Sequence, residues 1–232
     1  MPATDSAMGT PSGGSDSSSG TGGKIASGTV GPSILGLLVF GMMSILFGLS
    51  QLPGPWGHGF STKTAESLTV FFWLPTGVVT TSLGLLGALV LALVGFICLW
   101  RGVDTYWGTA FLGYGGFWIA WATIVPNMAN HTAYGYGTAG FLFVWLLFTL
   151  TFLITSMKHG WMTFFLFVFL FISVILLVVE FWTFGANGTT TTISGFELGA
   201  IGGLWIFTGF LGWYLGTARL AEITYGKKIL PS

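Results

Sequence analysis

Gly31-Pro-Ser-Ile-Leu-Gly-Leu-Leu-Val-Phe-Gly-Met-Met43 is the stretch where a polar, charge-poor tail turns into hydrocarbon. Pro32 suits a helix start: at the first helical position its missing N–H would have no partner, and its fixed φ is already helical. From there to Leu52 no charged side chain intervenes. About twenty such residues, rising 1.5 Å each, span a bilayer core of roughly 30 Å. The stretch predicts a transmembrane helix, and the chain beyond it repeats the pattern.

Composition points the same way. Of 232 residues, 53% are apolar and 6% charged, and the mean hydropathy is +0.82. A soluble domain carries about a quarter charged residues. Seven basic and seven acidic residues cancel, which leaves no basic surface for nucleic acid. Cys98 is the only cysteine and lies in an apolar run, so neither an intramolecular disulfide nor a zinc-type cluster is available. No nucleophile–base pair, metal cluster or phosphate loop argues for an enzyme, a bound metal or a cofactor.

Residues 1–30 are rich in Gly, Ser and Thr, with Asp5, Asp16 and Lys24 as their charges. Such a segment buries too little apolar surface to offset its ordering entropy and reads as a disordered tail. It lacks the basic start and short apolar centre of a signal peptide. Pro53-Gly-Pro-Trp-Gly-His-Gly59 and the polar stretch with Lys63 and Glu66 read as a loop, Trp56 at an interface.

Further spans are expected over about 72–100, where Pro75 starts or kinks the helix, and 106–125, ended by Pro126-Asn-Met-Ala-Asn-His-Thr132. Three more follow at 137–157, at 161–184 after the tight turn Lys158-His-Gly160, and at 195–220. The fold class is therefore an all-α membrane protein: six transmembrane helices in one bundle over 31–222, with a short tail at 223–232. Lys24, Arg101, Lys158, Arg219, Lys227 and Lys228 fall on one side of that topology against Lys63 on the other. By the positive-inside rule both termini are cytoplasmic.

The titratable residues His58, Glu66, His131, Glu180 and Glu197 gather on the opposite, outer face. Glu180 lies roughly 28 Å along its helix from Trp161 and is expected in solvent at the far interface. Glu197 suits the first turn of the last helix, whose positive end favours a carboxylate. Gly199-x-x-x-Gly203 and Gly212-x-x-x-Gly216, with Gly84 and Gly87, let helices approach closely. Trp100, Trp107, Trp161 and Trp182 fall near span ends as interface anchors. Asn130 and Asn187 head glycosylation-type triplets.

Four stretches resemble the acetate uptake transporter family, the succinate–acetate permeases of microbes and their fungal relatives. They are Gly31-Pro-Ser-Ile-Leu-Gly-Leu37, Thr109-Ala-Phe-Leu-Gly-Tyr-Gly-Gly-Phe-Trp118, Trp145-Leu-Leu-Phe-Thr-Leu150 and Gly226-Lys-Lys-Ile-Leu-Pro231. The resemblance implies a permease or channel for small monocarboxylates, chiefly acetate with succinate as a second solute. It also implies a hexamer in the plasma membrane with no catalytic step, and leaves proton linkage open. Phe40 and Tyr114 fall on positions that form a narrow apolar constriction in that family, and Leu170 on a third by gap-free extension from Phe148. Such necks gate by dewetting, and the Tyr114 phenol is a candidate hydrogen-bond partner for a passing carboxylate.

Departures bear on the solute. Gly31 and Ile34 replace an Asn and a Pro of the family motif, and Ala88 to Ala92 stand where a Gly-Gly-x-x-Gln is frequent. Thr80, Thr81 and Ser82 are candidates to line a path instead. Two rival readings stay open: a channel for ammonia, ammonium or a small neutral solute, and a membrane sensor that transports nothing.

Overall fold

The computed structural model describes residues 31–52, 79–128, 134–187 and 195–231. Within them the chain forms α1 (Gly31–Gln51), α2 (Val79–Trp100), α3 (Thr105–Met128), α4 (Tyr134–Ser156), α5 (Trp161–Asn187) and α6 (Gly195–Tyr225). The tail 1–30, Trp56, His58, Lys63, Glu66, Pro75, Asn130 and His131 lie outside the described residues, as do the side chains of Thr80, Thr81, Ser82, Gly84, Asn187 and Glu197.

Among the described residues, four stretches are long and apolar enough to cross a membrane: Gly31–Leu49, Gly135–Ser156, Trp161–Thr183 and Gly199–Tyr225. Leu85–Trp100 of α2 forms a shorter apolar helix. α3 is of similar length but rich in Gly, Tyr and Trp, which are less apolar than the aliphatics of its neighbours. Leu46, Leu89, Leu93, Val144 and Ile154 face outward, while Ser44, Thr149, Ser173 and Thr208 are buried. The last three donate to the carbonyl four residues back. An apolar exterior around an internally satisfied backbone is what lipid demands.

Two helix ends differ from expectation. α3 runs through Pro126 to Met128, because a proline in the last turn forfeits one ladder hydrogen bond where the helix is ending anyway. α6 runs past Leu220 to Tyr225, carrying Arg219 and Glu222 without a break. Gly226, at φ +66°, stops it. The chain then folds back, and the Tyr214 hydroxyl donates to the Pro231 carbonyl at 2.9 Å, which gives the Gly226–Pro231 motif a structural task.

The short connections are tight. After α2, Val103 N donates to Cys98 O and Gly102 N to Leu99 O, both at 3.1 Å, with Gly102 at φ +61°. This is a Schellman stop. Asp104 then caps α3 through its Oδ1, which accepts from Trp107 N at 3.1 Å. Gly160, at φ +99°, turns α4 into α5.

α1 and α6 run antiparallel in the most extensive of the helix contacts, followed by α2 with α3 and α4 with α5. Glycines set the first seam. A Cβ at Gly209 would lie 2.6 Å from the Gly41 carbonyl oxygen, and one at Gly202 would lie 2.8 Å from that of Gly48. Gly212 and Gly216 also face α1, through Phe40 and Leu38, so their close contact lies within one chain. Gly199 and Gly203 do not join it: a Cβ at either would meet nothing within 4 Å. Gly203 is exposed and Gly199 half-buried.

The α3–α4 seam is built the other way. Its backbones approach little, and rings fill the gap: Tyr114 on Phe148 at 5.3 Å, Phe117 stacked on Phe141 at 5.7 Å, Tyr106 on Phe152 at 5.3 Å.

Candidate functional site

Phe40 of α1, Tyr114 of α3 and Leu170 of α5 are distant in sequence, and all three sides meet around one buried space. Each is nearly inaccessible, at 4%, 5% and 0% exposure. The Phe40 and Tyr114 ring centroids are 5.5 Å apart at a tilt of 57°. The Tyr114 hydroxyl donates to Thr149 Oγ1 at 3.0 Å, and Thr149 donates in turn to the Trp145 carbonyl at 2.8 Å. The phenol donor is thus engaged within the protein.

Two cavities border this cluster. One, nearer the starts of α1, α3 and α5, has a volume of about 10 Å³, room for one water at most, and is lined by Phe40, Trp107, Ala110, Phe111, Tyr114, Leu166 and Phe167. The other, on the far side, is as small, about 10 Å³, among Phe40, Tyr114, Phe117, Trp118, Trp145, Thr149, Leu170, Val174 and Trp205. Phe40 and Tyr114 line both. They form the partition. No described α2 residue lines either cavity.

Beyond the far cavity, Phe47 is boxed by Trp205 at 4.8 Å, Trp118 at 5.3 Å and Trp121 at 5.8 Å. Edge-on contacts of this kind are favourable for aromatic pairs. Glu180, expected in solvent at that end, is instead 7% exposed. The rise per residue sets its depth but not its direction, and the helix turns it inward. Among the other outer titratable candidates, none has a described side chain.

The near end is more polar. Arg219 places its guanidinium 5.1 Å from the centroid of the Trp107 ring, a cation–π distance. Asp104 and Glu222 are the carboxylates whose charge it feels. Tyr106 stacks on His159 at 3.8 Å, and His159 Nδ1 lies 3.2 Å from the Thr155 carbonyl. Trp107 is therefore no interface anchor: it is 3% exposed and lines the near cavity, whereas Trp100, Trp161 and Trp182 are exposed as expected. Among the described residues no group of three His, Cys, Asp or Glu is placed to hold a metal.

Sequence reasoning missed Thr149, Trp205 and the inward role of Trp107 and Arg219. Thr149 stands inside a quoted motif, so its signal was present. Trp205 had none among so many aromatics.

A bundle of long apolar helices with an apolar exterior defines an integral membrane protein. The chain belongs to the GPR1/FUN34/yaaH family, which it matches over residues 74–228, as the resemblance to acetate uptake transporters led one to expect. It is 25% identical over 220 residues to an uncharacterised protein of Methanothermobacter thermautotrophicus strain Delta H, covering 90% of this chain and 93% of that one. Its fold is similar to that of the bacterial acetate channel SatP, with a TM-score of 0.62 at 21% identity over 86% of this chain and 97% of the other.

Proposed function

We propose that the protein is a membrane channel or permease for small monocarboxylates, chiefly acetate, with succinate as a poorer solute and no catalytic step. One observation carries this reading: Phe40 and Tyr114, from two helices, line both of two buried apolar cavities, and Leu170 of a third helix lines the far one beside them. Hydrophobic constrictions gate by dewetting, which keeps bulk water and its ions from leaking through such a neck. The similarity in fold to an acetate channel supports acetate over other solutes of that size.

In this reading all six helices cross the plasma membrane with both termini in the cytoplasm, residues 1–30 are a tail, 31–222 the transport domain and 223–232 a C-terminal extension. The outward, small-residue face of α6 at Gly199 and Gly203 supports assembly of several copies, a hexamer by family likeness. Proton linkage draws on the outer set His58, Glu66, His131, Glu180 and Glu197, since a histidine changes charge near neutral pH.

Purified protein in liposomes should pass labelled acetate and leave ammonia permeation at the level of empty liposomes. The reverse result would favour the ammonia reading, and neither flux would favour a sensor. With undissociated acid held fixed, faster uptake at lower outside pH would support proton linkage, and a constant rate would remove it.

A further inference from the structure

A terminal segment beyond the last helix is ordinarily loose unless something ties it down. Here the tie is present at both ends. Gly226, at φ +66°, turns the chain out of α6, and the Tyr214 hydroxyl, about three turns back on that helix, donates to the Pro231 carbonyl at 2.9 Å. The hook so formed carries Lys227, Lys228 and Ile229, all exposed, and the last turns of α6 beside it expose Leu220, Ile223 and Tyr225. Cations mixed with exposed apolar side chains suit the boundary between acyl chains and headgroups, where a lysine stem lies on hydrocarbon and its ammonium reaches the phosphates.

The same pairing recurs at this end of the bundle. Exposed Trp100 closes α2 just before exposed Arg101, and exposed Lys158 lies in the turn before exposed Trp161 of α5. Tryptophan beside a basic residue marks headgroup level. Among the described residues, the carboxylates here are Asp104 and Glu222, and both act on Arg219, which lies over the Trp107 ring. Arg101, Lys158, Lys227 and Lys228 therefore leave this end positive. A headgroup with net negative charge complements it, and a zwitterionic one does not.

We propose that the C-terminal hook is a built binding site for an anionic phospholipid, with Lys227 and Lys228 on the headgroup and Ile229, beside Ile223 and Tyr225, against the first carbons of the acyl chains. The Tyr214–Pro231 hydrogen bond belongs to the site, because it keeps the two ammonium groups at one height against α6. A loose tail with the same lysines would attract the same lipid only as a diffuse counterion. The site concerns the surrounding bilayer and holds whatever solute the protein passes.

Native mass spectrometry of the full chain in detergent, with equal amounts of phosphatidylglycerol and phosphatidylcholine, tests this. Wild-type protein should retain phosphatidylglycerol preferentially, and replacing Lys227 and Lys228 by Gln should lower the preference about fivefold for each lysine. Tyr214→Phe keeps every cation and removes the hydroxyl that holds Pro231; it should lower the preference about threefold or more, the effect of one hydrogen bond. Replacing Arg101 and Lys158 by Gln removes as much charge from the same end, leaves the hook intact, and should lower it less than the lysine pair does. Inorganic phosphate at the lipid's concentration should displace nothing. Equal retention of the two lipids by the wild type would overturn the proposal, as would displacement by phosphate. So would a preference that falls equally in both charge pairs and stays whole in Tyr214→Phe, since that is the behaviour of net charge without a site.

Discussion

The α1–α6 seam and the α3–α4 seam close the same bundle by opposite means. In the first, Gly41, Gly48, Gly202 and Gly209 bring backbone against backbone, so that a Cβ would fall within 3 Å of a carbonyl oxygen or amide nitrogen. In the second, Tyr106, Tyr114 and Phe117 hold the helices apart through rings on Phe152, Phe148 and Phe141. Glycine contact leaves no room for a solute, whereas bulky rings pack edge-on and leave gaps between them. The cavities lie on the ringed side of the molecule, and Phe40 reaches them across the bundle from the glycine seam.

Breaking the glycine seam is expected to have the largest effect. Gly209→Val must move backbone rather than a side-chain tip, and overpacking costs about 1–3 kcal/mol even where neighbours can yield. The variant should give little folded protein by size-exclusion chromatography in detergent. Gly203→Val, whose added Cβ meets nothing within 4 Å, should fold normally. If Gly203→Val keeps its fold but changes assembly size in light scattering, the outward face is a contact between copies.

Opening the partition should come next. Phe40→Ala removes a ring that lines both cavities and costs about 3–5 kcal/mol if the space stays empty, so flux must be compared per folded protein. Discrimination of acetate against succinate should fall by about tenfold, within the range that pocket size alone supplies. Unchanged rate and selectivity at normal insertion would return Phe40 to ordinary packing.

How much of this was legible beforehand differs between the two seams. Helix positions followed from runs of apolar residues, and the tight turn between α4 and α5 from Lys158-His-Gly160, because those signals are local. Phe40 and Tyr114 were singled out through motifs and Leu170 by gap-free extension from Phe148; that all three line one space needed the helices to be packed. Direction around a helix was the part least available. The hydrophobic pattern of a membrane helix is nearly uniform, so nothing turned Glu180 or Trp107 inward, or Gly203 outward, on the page. Among the glycine pairs, spacing alone did not separate Gly212 and Gly216, which touch α1, from Gly199 and Gly203, which do not.

The smallest expected effect is the most informative about the ringed seam. Tyr114→Phe keeps the ring that meets Phe40 and Phe148 and removes only the hydroxyl that donates to Thr149. Thr149 keeps its own bond to the Trp145 carbonyl, so no buried donor is orphaned, and the loss should be about 0.5–1.5 kcal/mol of stability. Acetate flux should stay within about twofold, less than one hydrogen bond's worth, because a phenol already committed to Thr149 is not free to hold the solute. Thr149→Val makes the complementary cut: it leaves the Tyr114 hydroxyl buried without an acceptor and should destabilise more than Tyr114→Phe does. The double variant should recover part of that difference, as expected for two residues whose effects run through one shared bond. A selective drop in acetate flux in Tyr114→Phe, at wild-type stability, would show instead that the hydroxyl leaves Thr149 to meet the carboxylate, and the partition would then be a binding group as well as a steric one.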